Sequence, residues 1–332
     1  MFLDRKQFLE ALKLLQPGLA SREIVEGSVH FHFHRDCIST YNDQFAVMVP
    51  FVTDVEGAVR AEELYKLLEK MTGDQVEIAQ DQEDNEIKIK SGRTKAGLRL
   101  LEKVVPPLEP ENEFLSLPKD YQKGLSFCQF SCSRDMTKPH LTCIHIQGNV
   151  ISSSDNWRIT QFVQEEAWPY DFLLPGEQAE HLRKYEFTHM ALDWAWVHFF
   201  NEISGLLVSI RLKSGELMNI EEYLQVEGDV ILLPDEIKES MDRSIIMVEG
   251  ASLLDLRVDL TLKENQLICK SKKSVGWLEE IIPIDYSGPS IQMMANPKFL
   301  QEIFSLTQEM VIGEISCLFR GPNFRHVMML MT

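Results

Sequence analysis

Apolar and polar positions along the chain follow two periods, one of helices and one of strands, and these alternate in an order that recurs. From Arg5 to Gln16, Phe8, Leu12 and Leu15 fall on one side of a helix. Two strand-like runs follow, Ser28 to His34 and Ile38 to Phe51. A second helix is predicted over Arg60 to Met71, where Leu64, Leu67, Leu68 and Met71 stand at i, i+3, i+4 and i+7, the spacing of an amphipathic helix laid on a sheet. Further strands include the alternating Glu86-Ile87-Lys88-Ile89-Lys90.

The Pro-rich stretch from Pro106 to Pro118 has the composition of a connector. Beyond it the same series restarts: a helix from Lys119 to about Cys132, strands over His140–Ser154 and Arg158–Gln164, a weaker helix over Glu177–Tyr185, and strands over Ala191–Phe200 and Gly205–Leu212. A third series begins near Pro234, with a helix over Asp235–Ile246 that spaces Ile237, Met241 and Ile245 four apart. Strands are expected at Leu254–Leu262, Gln266–Ser271 and Glu279–Asp285. The next helix has clear start chemistry, with Asn296 as N-cap, Pro297 in the first position and Phe299, Leu300, Ile303 and Phe304 as its apolar stripe. Strands at Met310–Phe319 and His326–Met331 close the chain. Three such copies predict an α+β protein of three similar domains, 1–115, 116–229 and 230–332, each with two helices packed on antiparallel sheet.

The length of 332 residues agrees with several domains, and 44% hydrophobic with 25% charged residues excludes a disordered or collagen-like chain. No run of apolar residues is long enough for a membrane span. The opening segment MFLDRKQFLEAL lacks the apolar core and cleavage site of a secretory signal, so a cytoplasmic setting is expected. The six cysteines are scattered without a C-x-x-C pair and read as buried thiols. With 33 Lys+Arg against 51 Asp+Glu the net charge is −18, which by itself argues against general adhesion to nucleic acid.

Candidate chemistry is sparse. His30, His32 and His34 alternate with Val29, Phe31 and Phe33 and so share one strand face, but no Cys or carboxylate is fixed nearby by spacing. The expected arrangement is a half-buried strand with its histidines outward, and no metal site. The acidic run Asp81 to Glu86 lacks the Gly and ligand periodicity of a calcium loop and is expected as a solvated hairpin turn. No phosphate loop, nucleophile elbow or H-E-x-x-H motif occurs, so neither catalytic residues nor a cofactor are expected. A carboxylate-dependent nuclease stays open as an alternative, because paired acids can come from distant positions.

Specific words in the chain resemble one family. Glu279-Glu280-Ile281-Ile282-Pro283-Ile284-Asp285-Tyr286-Ser287-Gly288, followed by IQMMANPKFLQEIF, is similar to the third domain of the bacterial DNA sliding clamp, the beta subunit of the replicative DNA polymerase III. Val76 to Leu98, with its S-G-R turn, resembles the end of that family's first domain, and His140 to Ile159 resembles a second-domain stretch. The resemblance spans essentially the whole chain in the right order. It implies a non-enzymatic processivity factor for DNA replication, a crescent subunit forming half of a ring. Two subunits would close head to tail as a homodimer around double-stranded DNA.

In that family the helices line the hole and the sheets form the outer wall, so an acidic chain can hold DNA by enclosure, with its helices less negative than its strands. By position, Arg22 and Lys70 match DNA-contacting residues. A peptide groove for DNA polymerase and clamp loader would involve Leu141, Ser154, Asn156, Trp157, Arg158 and Ile159 from the second domain, with Asn296, Phe299, Val327, Met329, Leu330 and Met331 from the third. The chain departs from the pattern in carrying Trp157 where a His is usual and Met329-Leu330-Met331 where a Pro flanked by Met is typical. Methionines suit a surface that adapts to irregular partners. These departures and the short length suggest a divergent member, of phage-like type. A monomeric adaptor that keeps the groove without the ring is the further alternative.

Overall fold

Ten elements in the order strand, helix, four strands, helix, three strands repeat three times along the chain. The structure is a computed structural model that describes residues 1–248 and 256–331. The first copy comprises β1 (Phe2–Asp4), α1 (Arg5–Leu15), β2 (His30–His34), β3 (Cys37–Tyr41), β4 (Phe45–Pro50), β5 (Glu56–Arg60), α2 (Ala61–Lys70), β6 (Gln75–Asp81), β7 (Glu86–Ser91) and β8 (Thr94–Leu101). The second comprises β9 (Leu115–Ser116), α3 (Tyr121–Gln129), β10 (Cys143–Gln147), β11 (Val150–Ser154), β12 (Arg158–Val163), β13 (Phe172–Pro175), α4 (Gly176–Leu182), β14 (His189–Leu192), β15 (Trp196–Phe200) and β16 (Leu207–Arg211). The third comprises β17 (Asp229–Leu232), α5 (Glu236–Ile246), β18 (Val258–Lys263), β19 (Gln266–Lys273), β20 (Gly276–Pro283), β21 (Ile291–Ala295), α6 (Pro297–Phe304), β22 (Glu309–Ile312), β23 (Ser316–Gly321) and β24 (Phe324–Met329).

The helices form where the sequence places them, for identifiable reasons. Asp4 caps α1 by accepting from the Gln7 amide at 2.9 Å, and Phe8, Ala11, Leu12 and Leu15 form its buried stripe. Glu62 and Glu63 in the first turn of α2 and Lys70 in its last turn complement the helix dipole. Asn296 caps α6 by accepting from the Lys298 and Phe299 amides, with Pro297 following. The expected helix over Lys119 to Cys132 is trimmed at both ends. It lies so close to its sheet that a Cβ at Gly124 would stand 2.3 Å from Ile151 Cδ1.

Several expectations change. The antiparallel sheet expected in each copy is two four-stranded sheets, in the orders β5-β2-β3-β4 with β1-β6-β7-β8, β13-β10-β11-β12 with β9-β14-β15-β16, and β21-β18-β19-β20 with β17-β22-β23-β24. The run Ile38 to Phe51 is two strands, because Asn42 accepts from the Gln44 and Phe45 amides and Asp43 takes φ 70°, turning the chain back. The leading strands β1, β9 and β17 are only two to four residues long and carry no alternation to read. The strand expected from Leu254 begins at Val258, and residues 254 and 255 lie outside the described residues.

The histidines of β2 do not point into solvent. His30 and His32 are buried, and only His34 is half-exposed. Two neighbouring segments cover that face: His32 Nε2 bonds the Gly27 carbonyl at 2.9 Å, and its Nδ1 accepts from the Val105 amide at 3.2 Å. The acidic run does form a hairpin turn, with Asp81 accepting from the Glu83 and Asp84 amides. Of the six cysteines, four are buried, whereas Cys37 and Cys132 are half-exposed.

The chain divides into two compact units. Met1–Leu117 with Glu177–Lys213 form one, in which β4 pairs with β16 and β5 with β8, so that its strands make a single twelve-stranded sheet. Pro118–Gly176 with Ser214–Thr332 form the other, where β12 pairs with β24 to make an eight-stranded sheet beside the four strands β20-β19-β18-β21. No helix of the described residues is long and apolar enough to cross a membrane.

Candidate functional site

Most of the expected site residues meet at the β12–β24 seam of the second unit. The two strands run antiparallel with Arg158 opposite Met328, Ile159 opposite Val327 and Thr160 opposite His326. The pairing extends one step beyond, where the Met329 amide donates to the Trp157 carbonyl at 2.8 Å. Because strand residues alternate between faces, the seam separates the expected residues into two sets.

On the helix side lies Arg158, only 5% exposed. Its Nε donates to Asp155 Oδ2 at 2.9 Å, one Nη to the Phe130 carbonyl at 2.6 Å and the other to Glu302 on α6. The guanidinium carbon stands 3.8 Å from the centre of the Phe299 ring, itself 4% exposed, and 5.3 Å from that of Phe130. Asp155 also accepts from the Trp157 and Arg158 amides, and Asn156 takes φ 76°, a left-handed conformation that Asn tolerates. Arg158, Phe299 and the cap Asn296 therefore act within the packing between β12 and α6. Next along this face, buried His326 bonds Thr160 Oγ1 at 2.8 Å through Nδ1, and burial holds it neutral, far below its ordinary pKa.

The other face carries Trp157, Ile159, Val327 and Met329. Ile159 packs against a buried cluster of Ile220, Leu224, Val311, Leu318 and Val327, joined by Met218 and Val226. Four of these seven residues belong to the segment from Ser214 to Gly228, which crosses this face of the eight-stranded sheet as a strap. Near its start, a Cβ at Gly215 would touch Leu173 on β13. The Met218 amide then donates to His145 Nδ1 on β10 at 3.2 Å. Glu221 takes a hydrogen bond from Gln161 at 2.7 Å and pairs with Arg325 at 3.1 Å. The Gln161 contact and then the Arg325 charge hold its carboxyl below the usual range. Finally Val226 and Glu227 reach the β22–β23 turn, where a Cβ at Gly313 would meet both.

Among the described residues, the strap leaves one end of the sheet uncovered. There Trp157 is 48% exposed, Met329 39% and Ile315, in the β22–β23 turn, 65%. Leu330, half-buried, donates its amide to the Ile315 carbonyl, and Met331 is tied to Met294 on β21 by an isolated bridge. Ser154 is buried at the end of β11, while Asn156 is exposed and contacts Lys138 at 3.4 Å. Leu141 is buried in a turn ahead of β10, two strands away from β12. The strap has no helical or strand period and reads in the sequence as a connector. Its signal is the set of apolar residues Met218, Ile220, Leu224 and Val226, with Leu217 and Tyr223, inside an acidic stretch.

In the first unit Arg22 and Lys70 are both exposed, Lys70 as the last residue of α2. The six helices of the described residues together carry a net charge of −1, although the chain as a whole carries −18. Nearly all of the excess acidity therefore lies on strands, turns and connectors.

Solved structures match this architecture along its whole length. A sliding clamp, DNA polymerase III subunit beta, from Bartonella birtlesii superposes with TM-score 0.86 at 18% identity, covering 100% of this chain and 99% of that one. The beta chain of DNA polymerase III from Streptococcus pneumoniae gives 0.86 at 14% identity, with 100% and 99% covered. A DNA polymerase sliding clamp from Bacillus subtilis gives 0.84 at 16%, with 100% and 98% covered. No family model and no curated protein sequence matches the chain. The chain thus has the sliding-clamp fold, of α+β class with three similar copies.

Proposed function

We propose that this protein is a DNA sliding clamp, a non-catalytic processivity factor that closes as a head-to-tail homodimer around duplex DNA and tethers a replicative polymerase in the cytoplasm. The three copies would be its domains, 1–115, 116–229 and 230–332.

The observation that carries this reading is a pairing rule used twice and left open once. Neighbouring copies join by pairing the third strand after the first helix of one copy with the last strand of the next, β4 with β16 and then β12 with β24. The same rule leaves one edge of β20 in the third copy and of β8 in the first without the partner it would assign. β20 is the edge of its sheet, and β8 pairs with β5 only at Leu100 and Leu101, so Thr94 to Arg99 has a free edge. Each strand is eight residues long. Free strand edges are templates for pairing with another chain. A second copy of this chain satisfies both at once, and two such junctions close the assembly.

Chemistry favours the match. β8 and its turn carry Arg93, Lys95 and Arg99, whereas β20 carries Glu279, which also pairs with Lys270, and Glu280, which also pairs with Arg243 of α5, beside the exposed apolar Trp277 and Ile281. The near-neutral helices agree with a DNA-facing role, with Arg22 and Lys70 as candidate phosphate contacts that position without reading sequence. Polymerase and clamp loader would dock through short peptides on the uncovered end of the β12–β24 seam, with Trp157, Ile159, Val327 and Met329 as its floor.

Light scattering tests the ring: twice the 38.3 kDa chain mass at micromolar concentration is expected. Protein loaded on circular duplex DNA should stay bound in high salt and be released when the circle is cut. A monomer at all concentrations, or retention indifferent to cutting, would reject the reading.

A further inference from the structure

We infer that the uncovered apolar end of the β12–β24 seam selects partner segments in which the apolar anchor is flanked by lysine or arginine. This rests on the docking role proposed above and adds the chemistry of the occupant.

The argument is the charge around the anchor surface. Trp157 and Met329 adjoin through the hydrogen bond between their backbones, and Met329 stands opposite Ser316, next to Ile315. The strap that borders this surface, Ser214 to Gly228, contains Glu216, Glu221, Glu222 and Glu227 and no Lys or Arg. The turn that borders it on the β23 side adds Glu314. The Glu227 backbone lies against that turn at Gly313, next to Glu314 in sequence.

Of these five carboxylates only Glu221 forms an ion pair among the described residues, with Arg325, and the other four are exposed. One cation, Lys138, stands on the far side of the patch at Asn156. Nearby Asp155 and Glu302 share the single positive charge of Arg158 on the opposite face.

A segment that buries an apolar side chain against Trp157 and Met329 and extends across the sheet meets the strap or the turn with its flanking residues. Basic flanks there meet unpaired carboxylates, whereas acidic flanks add like charge at short range. Rim charges of this kind set partner choice and association rate more than they set total affinity. The aromatic and methionine floor supplies the anchor energy.

The test uses the full-length protein and three labelled synthetic peptides, followed by fluorescence anisotropy. One carries a Leu-Phe anchor between lysines, one the same anchor between glutamates, and one lysines without the anchor. At low ionic strength the lysine-flanked anchor should bind about tenfold more tightly than the glutamate-flanked one, and the ratio should shrink in high salt. Combined Glu222→Lys, Glu227→Lys and Glu314→Lys substitution should reverse the order, and Trp157→Ala should weaken both anchored peptides.

Equal affinity for the two anchored peptides, or preference for glutamate flanks, overturns the inference while leaving the groove intact. Equal binding of the anchorless lysine peptide overturns it too, since the attraction would then belong to the acidic protein as a whole. Failure of both anchored peptides to bind overturns the groove itself.

Discussion

Arg158 and Trp157 are neighbours in sequence with opposite duties, and substitutions should separate them. The guanidinium of Arg158 satisfies two carboxylates and a carbonyl in a buried setting while stacking on Phe299. Arg158→Met leaves half-buried Asp155 with its two backbone amide donors but no counter-charge and is expected to cost about 3 kcal/mol in urea unfolding, because removing one member of a buried pair leaves the other charge uncompensated. Arg158→Lys keeps the charge but cannot reproduce the planar fork, so a smaller loss is expected. Phe299→Ala should likewise be read in stability, at about 3 kcal/mol, since it empties a buried site beneath the guanidinium. Trp157→Ala and Met329→Ala remove exposed side chains. Each should change unfolding by less than about 0.5 kcal/mol while lowering affinity for an anchored peptide severalfold. A binding defect in Arg158→Met or Phe299→Ala at undiminished stability would contradict this division.

At the scale of elements, the edges of β8 and β20 carry the clearest prediction. Lys95→Glu with Arg99→Glu places four acidic residues across the proposed junction and should raise the dimer dissociation constant by about tenfold or more, measured by sedimentation at fixed salt. Adding Glu279→Lys and Glu280→Lys should restore part of the loss, whereas an unchanged dissociation constant in both variants would remove these strands from the junction. How legible the elements are depends on their length and burial. Long stripes such as Phe8-Leu12-Leu15 and the Asn296-Pro297 start define helices almost to the residue, because period and capping act locally. The strap and the strands β1, β9 and β17 are invisible in the sequence, since what fixes them is pairing with residues far along the chain. His30 and His32 mislead for the same reason. Alternation with aromatic residues reads as one wet face, but distant segments cover that face and satisfy His32 through Gly27 and Val105. At the candidate site, sequence words bring the right residues to the β12–β24 seam but cannot assign their faces, because one residue of register decides which side a chain points to.

Over the whole molecule, buried histidine gives folding a pH dependence that the surplus of surface carboxylates would not. His30, His32, His34, His145, His181, His198 and His326 all have pKa values lowered chiefly by burial, that of His32 to about 4. The unfolded chain protonates these groups near pH 6.5, while the folded chain resists until the pH reaches each lowered value. Between those limits the unfolded state binds more protons, so stability is fully present above pH 6.5 and falls as the pH drops. His32 alone would forfeit about 3 kcal/mol on passing from pH 7 to below 4, because each tenfold loss of proton affinity on folding is worth about 1.4 kcal/mol. Salt-bridged carboxylates such as Glu221, whose folded pKa is also lowered, lose their contribution only under more acidic conditions, from their unfolded value downward. Urea unfolding at a fixed protein concentration should therefore show a clear drop between pH 7 and pH 5, before carboxylates protonate. His32→Gln, which can keep one of the two hydrogen bonds and does not titrate, should begin less stable at pH 7 and lose less between pH 7 and pH 5. Parallel pH profiles for the two proteins would mean that His32 gains no protons on unfolding, contrary to its burial between β2 and the two segments that cover it.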